Sequence, residues 1–161
     1  MMRILVNPYD EPAHARAIVE LLDSYARDPM GGGDGLGERT RRVLVDELCA
    51  RPWIVTFLAL DEDRPVGLLI ALEGFSTFAA RPLLNIHDVA VHPDHRGRGV
   101  GTALMSAAEE FARERGCCKL TLEVLEGNAR ASELYARLGY RPYALDPALG
   151  TAQFWEKPLQ H

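Results

Sequence analysis

The feature that most restricts this chain is a change of hydrophobic period across a run of alternating glycines. Leu83 to Val91 is an apolar stretch that reads as a strand and stops at His92-Pro93. Gly97, Gly99 and Gly101 then stand at alternate positions, and Val100, Leu104, Ala107, Ala108 and Phe111 fall on one helical face until Gly116 stops it. A buried strand that turns directly into a helix calls for a sheet with helices packed on it. The glycines also remove side chains where the helix begins. Its first N–H groups are left without intrahelical partners, and the positive end of the helix dipole lies behind them. Such an end takes phosphate groups readily. Arg96 and Arg98 either add charge there or are solvated arginines on a turn.

Two other phosphate loops fail on register. The dinucleotide fingerprint Gly-x-Gly-x-x-Gly would need glycine at Thr102 or Leu104, and the P-loop would need lysine between Gly101 and Thr102. Nicotinamide and ATP sites are therefore not expected.

The remaining elements follow from periodicity and punctuation. Arg3 to Val6 reads as a strand ended by Asn7-Pro8. Asp10 is placed to cap a helix carrying Ala17, Ile18, Leu21, Leu22 and Tyr25, and a second helix is expected from about Glu38 to Ala50. Between them, Met30 to Gly37 is the most glycine-rich stretch, fit for a lid or a plain surface loop. Ile54 to Leu60 and Pro65 to Leu72 should pair as a hairpin about the polar turn Asp61 to Arg64. Cys118 to Leu125 is expected as a strand. Asn128 is expected to cap a short helix that Gly139 ends, and final strands are expected at Tyr140 to Leu145 and Thr151 to Lys157.

Length and charge narrow the partners. With 161 residues, one domain spanning 1–161 is expected. No stretch approaches the ~18 apolar residues that cross a bilayer. Met1 to Pro8 has no signal-peptide core, so no membrane partner and a cytoplasmic location are expected. A net charge of -5 argues against nucleic acid, so any polyanion must be met locally. Cys49, Cys117 and Cys118 form no Cys-x-x-Cys pair, and no metal is expected.

At this point the sequence resembles the GNAT family of N-acetyltransferases, whose signature is Arg/Gln-x-x-Gly-x-Gly/Ala between a strand and a long helix. Arg96-Gly97-Arg98-Gly99-Val100-Gly101 fits every fixed position. Asp88 to Pro93, Leu120 to Val124 and Asn128 to Tyr140 look like the family in order and spacing. The resemblance runs from about Ile54 to Pro142 and implies an α/β fold: a mixed, largely antiparallel sheet of six to seven strands with about four helices.

It further implies acetyl-CoA as cosubstrate and, as acceptor, a primary amine of a small molecule or of a protein or peptide, with direct attack in a ternary complex. The main chain of Val89, Ala90 and Val91 would pair with the pantetheine arm, and the loop Arg96, Gly97, Arg98, Gly99, Val100, Gly101, Thr102 would hold the diphosphate. Asn128 would reach the pantetheine, although a helix cap accounts for it equally. Tyr135 matches the family tyrosine that protonates the departing thiolate, and it also falls on the apolar face of its helix. Glu123 is the first choice for the base, with His87 and Asp88 as alternatives, or as a hydrogen-bonded pair that holds the strand end. Read from the residues alone, Asp28, Asp34, Glu38 and Glu73 either supply negative charge for a cationic amine or are ordinary acidic surface residues. A homodimer is a mild expectation. A module that binds acetyl-CoA without turnover is the competing reading.

Overall fold

The computed structural model describes residues 1–159, and they fall into two units, 1–122 and 123 onward. In the first unit, strands β1 (Met2–Val6), β2 (Ile54–Asp61), β3 (Arg64–Ser76), β4 (Arg81–Val91) and β5 (Leu120–Leu122) form one sheet in sequence order. All neighbours are antiparallel except β4 and β5, which run parallel. Helices α1 (Pro12–Arg27), α2 (Glu38–Cys49) and α3 (Val100–Glu114) complete the unit. The second unit contains α4 (Ala129–Arg137).

The β2–β3 hairpin forms where the polar turn predicts it, with Glu62 and Asp63 both at positive φ (49° and 71°). Such a turn matches the right-handed twist of its strands. One face of the sheet carries Leu58, Leu60, Leu68, Ile70 and Ala90 against Ala17, Ile18 and Leu21 of α1 and Leu48 of α2. Each leucine and isoleucine among them contributes about 1.5–3 kcal/mol by leaving water. On the α3 side, Phe57 meets Phe111 edge to face at 5.7 Å. Gly67 of β3 fixes how closely α3 approaches. A Cβ there would lie 2.5 Å from Val100 Cγ1 and 3.0 Å from Leu104 Cδ1, so the first turn of α3 sits directly on the sheet.

Several expectations are corrected. Asp10 does not cap α1. The N-cap is Glu11, which makes no side-chain cap bond, and Pro12 at the first helical turn sets the start instead. The strand expected at Cys118 to Leu125 is confined to Leu120–Leu122, and neither Tyr140 to Leu145 nor Thr151 to Lys157 forms a strand. Among the described residues the sheet therefore has five strands rather than six or seven. Pro142 and Pro147 remove donors from that region, and the Asp146 carboxylate accepts from the Ala148 amide at 2.9 Å, turning the chain at Pro147–Leu149. A backbone bond from Ala152 N–H to the Tyr143 carbonyl, 2.9 Å, links the two stretches without a ladder.

Candidate active site

The end of β4 is built around a bulge. Ile70 pairs with Asp88 while its neighbour Ala71 pairs with Ile86, so His87 is the extra residue. Cross-strand partners share a face, and the bulge therefore puts Asp88 on the α1 face beside Ala90 while Ile86 lies on the other. β4 follows β3 along its whole length but meets β5 only over Leu84, Asn85 and Ile86. From Asp88 to Val91, its second edge has no strand partner among the described residues. Ala90 is buried, whereas Val89 and Val91 are half-buried.

Beyond Val91 the chain makes a short turn, Pro93–His95, in which His92 Nδ1 accepts from the Asp94 amide at 3.3 Å. His95 is buried there with its ring 5.5 Å from that of His92, and its Nδ1 has no hydrogen-bond partner among the described residues. The glycine turn follows, with Gly97 at φ 73° and Gly99 at φ 82°. A side chain at either would strain the left-handed backbone, although the space beside both is open. The first backbone bond of α3 runs from Ala103 to the Gly99 carbonyl, 2.9 Å. Among the described residues, no amide from Gly97 to Thr102 donates to a carbonyl, and Gly97, Arg98, Gly99 and Thr102 are exposed. This run of bare N–H groups in front of a helix of 15 residues suits a diphosphate.

The two arginines behave differently. Arg98 is exposed and makes no ion pair among the described residues. Arg96 is committed: its amide donates to the Pro93 carbonyl, its Nε to the Val91 carbonyl at 3.4 Å, and its Nη2 to Asp28 Oδ2 at 3.4 Å.

The stretch after α1 is held in place. Asp23 accepts from the Leu36 amide at 2.8 Å and pairs with Arg27 at 2.9 Å and Arg41 at 2.8 Å. The Arg27 hydrogen bond, then the Leu36 amide and Arg41, hold its carboxyl down at about 2. Tyr25, half-buried, has its phenol pKa raised by burial and then by the charges of Asp88 and Asp28. Asp88 itself is pushed up by burial, with the His87 charge opposing. Two acidic residues expected to meet a cationic amine are already paired, Asp28 with Arg96 and Glu73 with Arg115 at 4.0 Å. Tyr25 was not singled out for the site by the sequence. It reads as one more apolar position of α1, and only the bulge that turns Asp88 towards that face brings it in.

In the second unit, Asn128 caps α4 as expected, its Oδ1 accepting from the Ala131 amide at 3.2 Å. Tyr135 is half-buried on the same helix with its ring 6.0 Å from that of Tyr140. Glu123 is exposed.

A strand that runs through a left-handed glycine turn into a helix with bare amides, beside an open strand edge, defines an α/β protein equipped for a diphosphate-bearing ligand. Residues 17–140 match the model of the acetyltransferase (GNAT) family, and the chain belongs to that family. It is 43% identical over 106 residues to streptothricin acetyltransferase of Streptomyces lavendulae, covering 65% of this chain and 54% of that protein. It is 36% identical over 74 residues to thialysine N-epsilon-acetyltransferase of Bos taurus, covering 46% of this chain and 43% of that protein. The matches thus span about half the length of these relatives. The fold is that of AAC(6')-Iy in complex with the bisubstrate analog CoA-S-monomethyl-acetylneamine, with a TM-score of 0.76, 16% identity and 99% of each chain covered.

Proposed function

We propose that residues 1–161 act as one N-acetyltransferase domain that moves the acetyl group of acetyl-CoA to a primary amine of a small molecule, by direct attack in a ternary complex. The observation that carries this is the row of unpartnered amides from Gly97 to Thr102 at the entrance of α3. In this reading those amides and Arg98 hold the diphosphate, and the open edge of Val89, Ala90 and Val91 pairs with the pantetheine arm. Asn128 adds a polar contact to that arm.

A lysine-like amine of pKa ~10.4 is almost wholly protonated at neutral pH, so a base must take its proton before attack. Asp88 suits this better than the exposed Glu123. Its carboxyl is partly withdrawn from water, and that burial raises its pKa. Glu123 and His87 are the alternatives for the same role, each acting through water. Tyr135 gives a proton from its phenol to the departing thiolate. The thioester is already activated, so positioning and these two proton transfers are the main demands on the protein.

Streptothricin and thialysine, in the names of two relatives, mark small amine-bearing molecules as the acceptors to assay first. Exposed Leu145, Phe154 and Trp155 favour a homodimer, and the enzyme is taken to work in the cytoplasm. A panel of such amines, read by release of free CoA thiol, tests the activity. Tyr135→Phe should lower kcat by ~10²-fold or more while CoA binding persists. If the wild type binds CoA and releases no thiol with any amine, the chain is a binding module instead.

A further inference from the structure

Resting on that reading only for its cofactor arm, we infer that Arg96 is a positioning residue: it ties the loop after α1, through Asp28, to the end of β4, and leaves the diphosphate to the neighbouring amides and Arg98.

Asp28 is the hub of that loop. Its Oδ1 accepts from the Met30 amide at 3.0 Å, and its carbonyl accepts from Gly31 at 2.8 Å and Gly33 at 3.1 Å, which folds the chain into the short turn Pro29–Gly31. Its Oδ2 is left for Arg96 Nη2. Arg96 in turn grips Val91 O with Nε, so one planar guanidinium spans the last residue of β4 and a carboxylate 68 positions earlier. A rigid fork of this kind sets both distance and angle, which a lysine point charge does less well. Both side chains are about one-third exposed (32% and 28%), so the pair is sheltered from salt more than a fully solvated one. Gly31 reinforces the fold of the loop. A Cβ there would lie 2.0 Å from the Tyr25 carbonyl oxygen, so the turn lies directly on the end of α1. The signature arginine is thereby used up in joining two segments of the site, and the exposed Arg98 beside it is the cation that remains available.

The test uses the full chain with Arg96→Ala, Arg96→Lys, Asp28→Asn, the double variant Arg96→Ala/Asp28→Asn and, as control, Arg98→Ala. Asp28→Asn keeps the Oδ1 acceptor for Met30 and puts an NH2 donor where Oδ2 accepts from Arg96, so it removes the charge and the tie together. Hydrogen exchange at the amides of Met30 to Gly33 is followed without ligand, and CoA binding is measured by calorimetry. Arg96→Ala and Asp28→Asn should each speed exchange at these amides by about tenfold, the double variant should be no worse than either single one, and Arg96→Lys should recover part of the protection. Arg98→Ala should leave exchange alone and weaken CoA several-fold, with Arg96→Ala weakening it less. Unchanged exchange in Asp28→Asn overturns the inference. So does a loss of CoA affinity in Arg96→Ala that matches or exceeds that of Arg98→Ala with no counterpart in Asp28→Asn. Should Arg96→Ala not fold, Arg96→Lys and Asp28→Asn decide by the same two readouts. A wild type that does not bind CoA sinks the acetyltransferase reading instead, and the exchange data then decide the tie alone.

Discussion

Asp88 is a carboxyl whose burial works against the fold at neutral pH. Burial raises its pKa above the roughly 3.9 of an unfolded aspartate, so the folded chain holds this proton more tightly than the unfolded chain. The group therefore favours folding below the unfolded pKa, and that contribution is lost as pH rises through the folded one. At neutral pH a charged Asp88 costs stability. Asp88→Asn keeps the shape and removes the charge, so it should raise the melting temperature at pH 7, and the gain should shrink at pH 4. If Asp88 is the base, the same variant loses kcat by ~10²- to 10⁴-fold. Thermal melts at both pH values together with steady-state rates check the pair of effects. A variant that melts lower at pH 7 would show that contacts of the carboxylate, not its desolvation, dominate.

At the scale of elements, the Met30 to Gly37 stretch is tied down by α1 and α2 through Asp23. Its pKa of about 2, below the unfolded value of ~3.9, means that this tie is fully present above about pH 4 and is lost as pH falls towards 2. Asp23→Asn should therefore loosen the loop at pH 7, seen as faster exchange at the Leu36 amide, and should remove the acid-dependent loosening of the wild type between pH 4 and 2. The glycines of this stretch advertise freedom in the sequence, but the bonds that restrain it come from Asp23, 13 positions before Leu36, and from Arg96, 68 positions after Asp28. Neither pairing has a local signature. Where the signal is local, the sequence is enough: the period change at the glycine turn, the hairpin about Asp61 to Arg64 and the Asn128 cap all form where spacing puts them. Asp10 misleads because Pro12 competes for the helix start. The last strands mislead because Tyr143, Leu145, Phe154 and Trp155 carry strand-like side chains, while nearby prolines and the Asp146 turn interrupt the backbone pairing that a ladder needs. The site divides in the same way: its amides are legible from three glycines, whereas the bulge at His87 that turns Asp88 towards α1 depends on register with β3.

For the molecule as a whole, a net charge of -5 gives no global field that draws in the polyanionic cosubstrate of the proposed reaction. In the proposed reading, neutral amide dipoles at one helix entrance, with the exposed Arg98, supply the attraction over a few ångströms instead. Binding of that kind acts on folded chains alone and must therefore stabilise them. Acetyl-CoA at a hundredfold over its dissociation constant should add ~2.7 kcal/mol. For a chain of this size that corresponds to roughly 5–10 °C in the melting temperature. Gly99→Ala separates the two contributions to that figure. At φ 82° an alanine costs about 1–2 kcal/mol of strain, which lowers the melt of the unliganded protein. Relief of the strain would swing the amides out of line, so the shift with acetyl-CoA should shrink as well. Thermal melts of both proteins across an acetyl-CoA titration measure this directly. An undiminished shift in Gly99→Ala would mean that the coenzyme is held somewhere other than the start of α3.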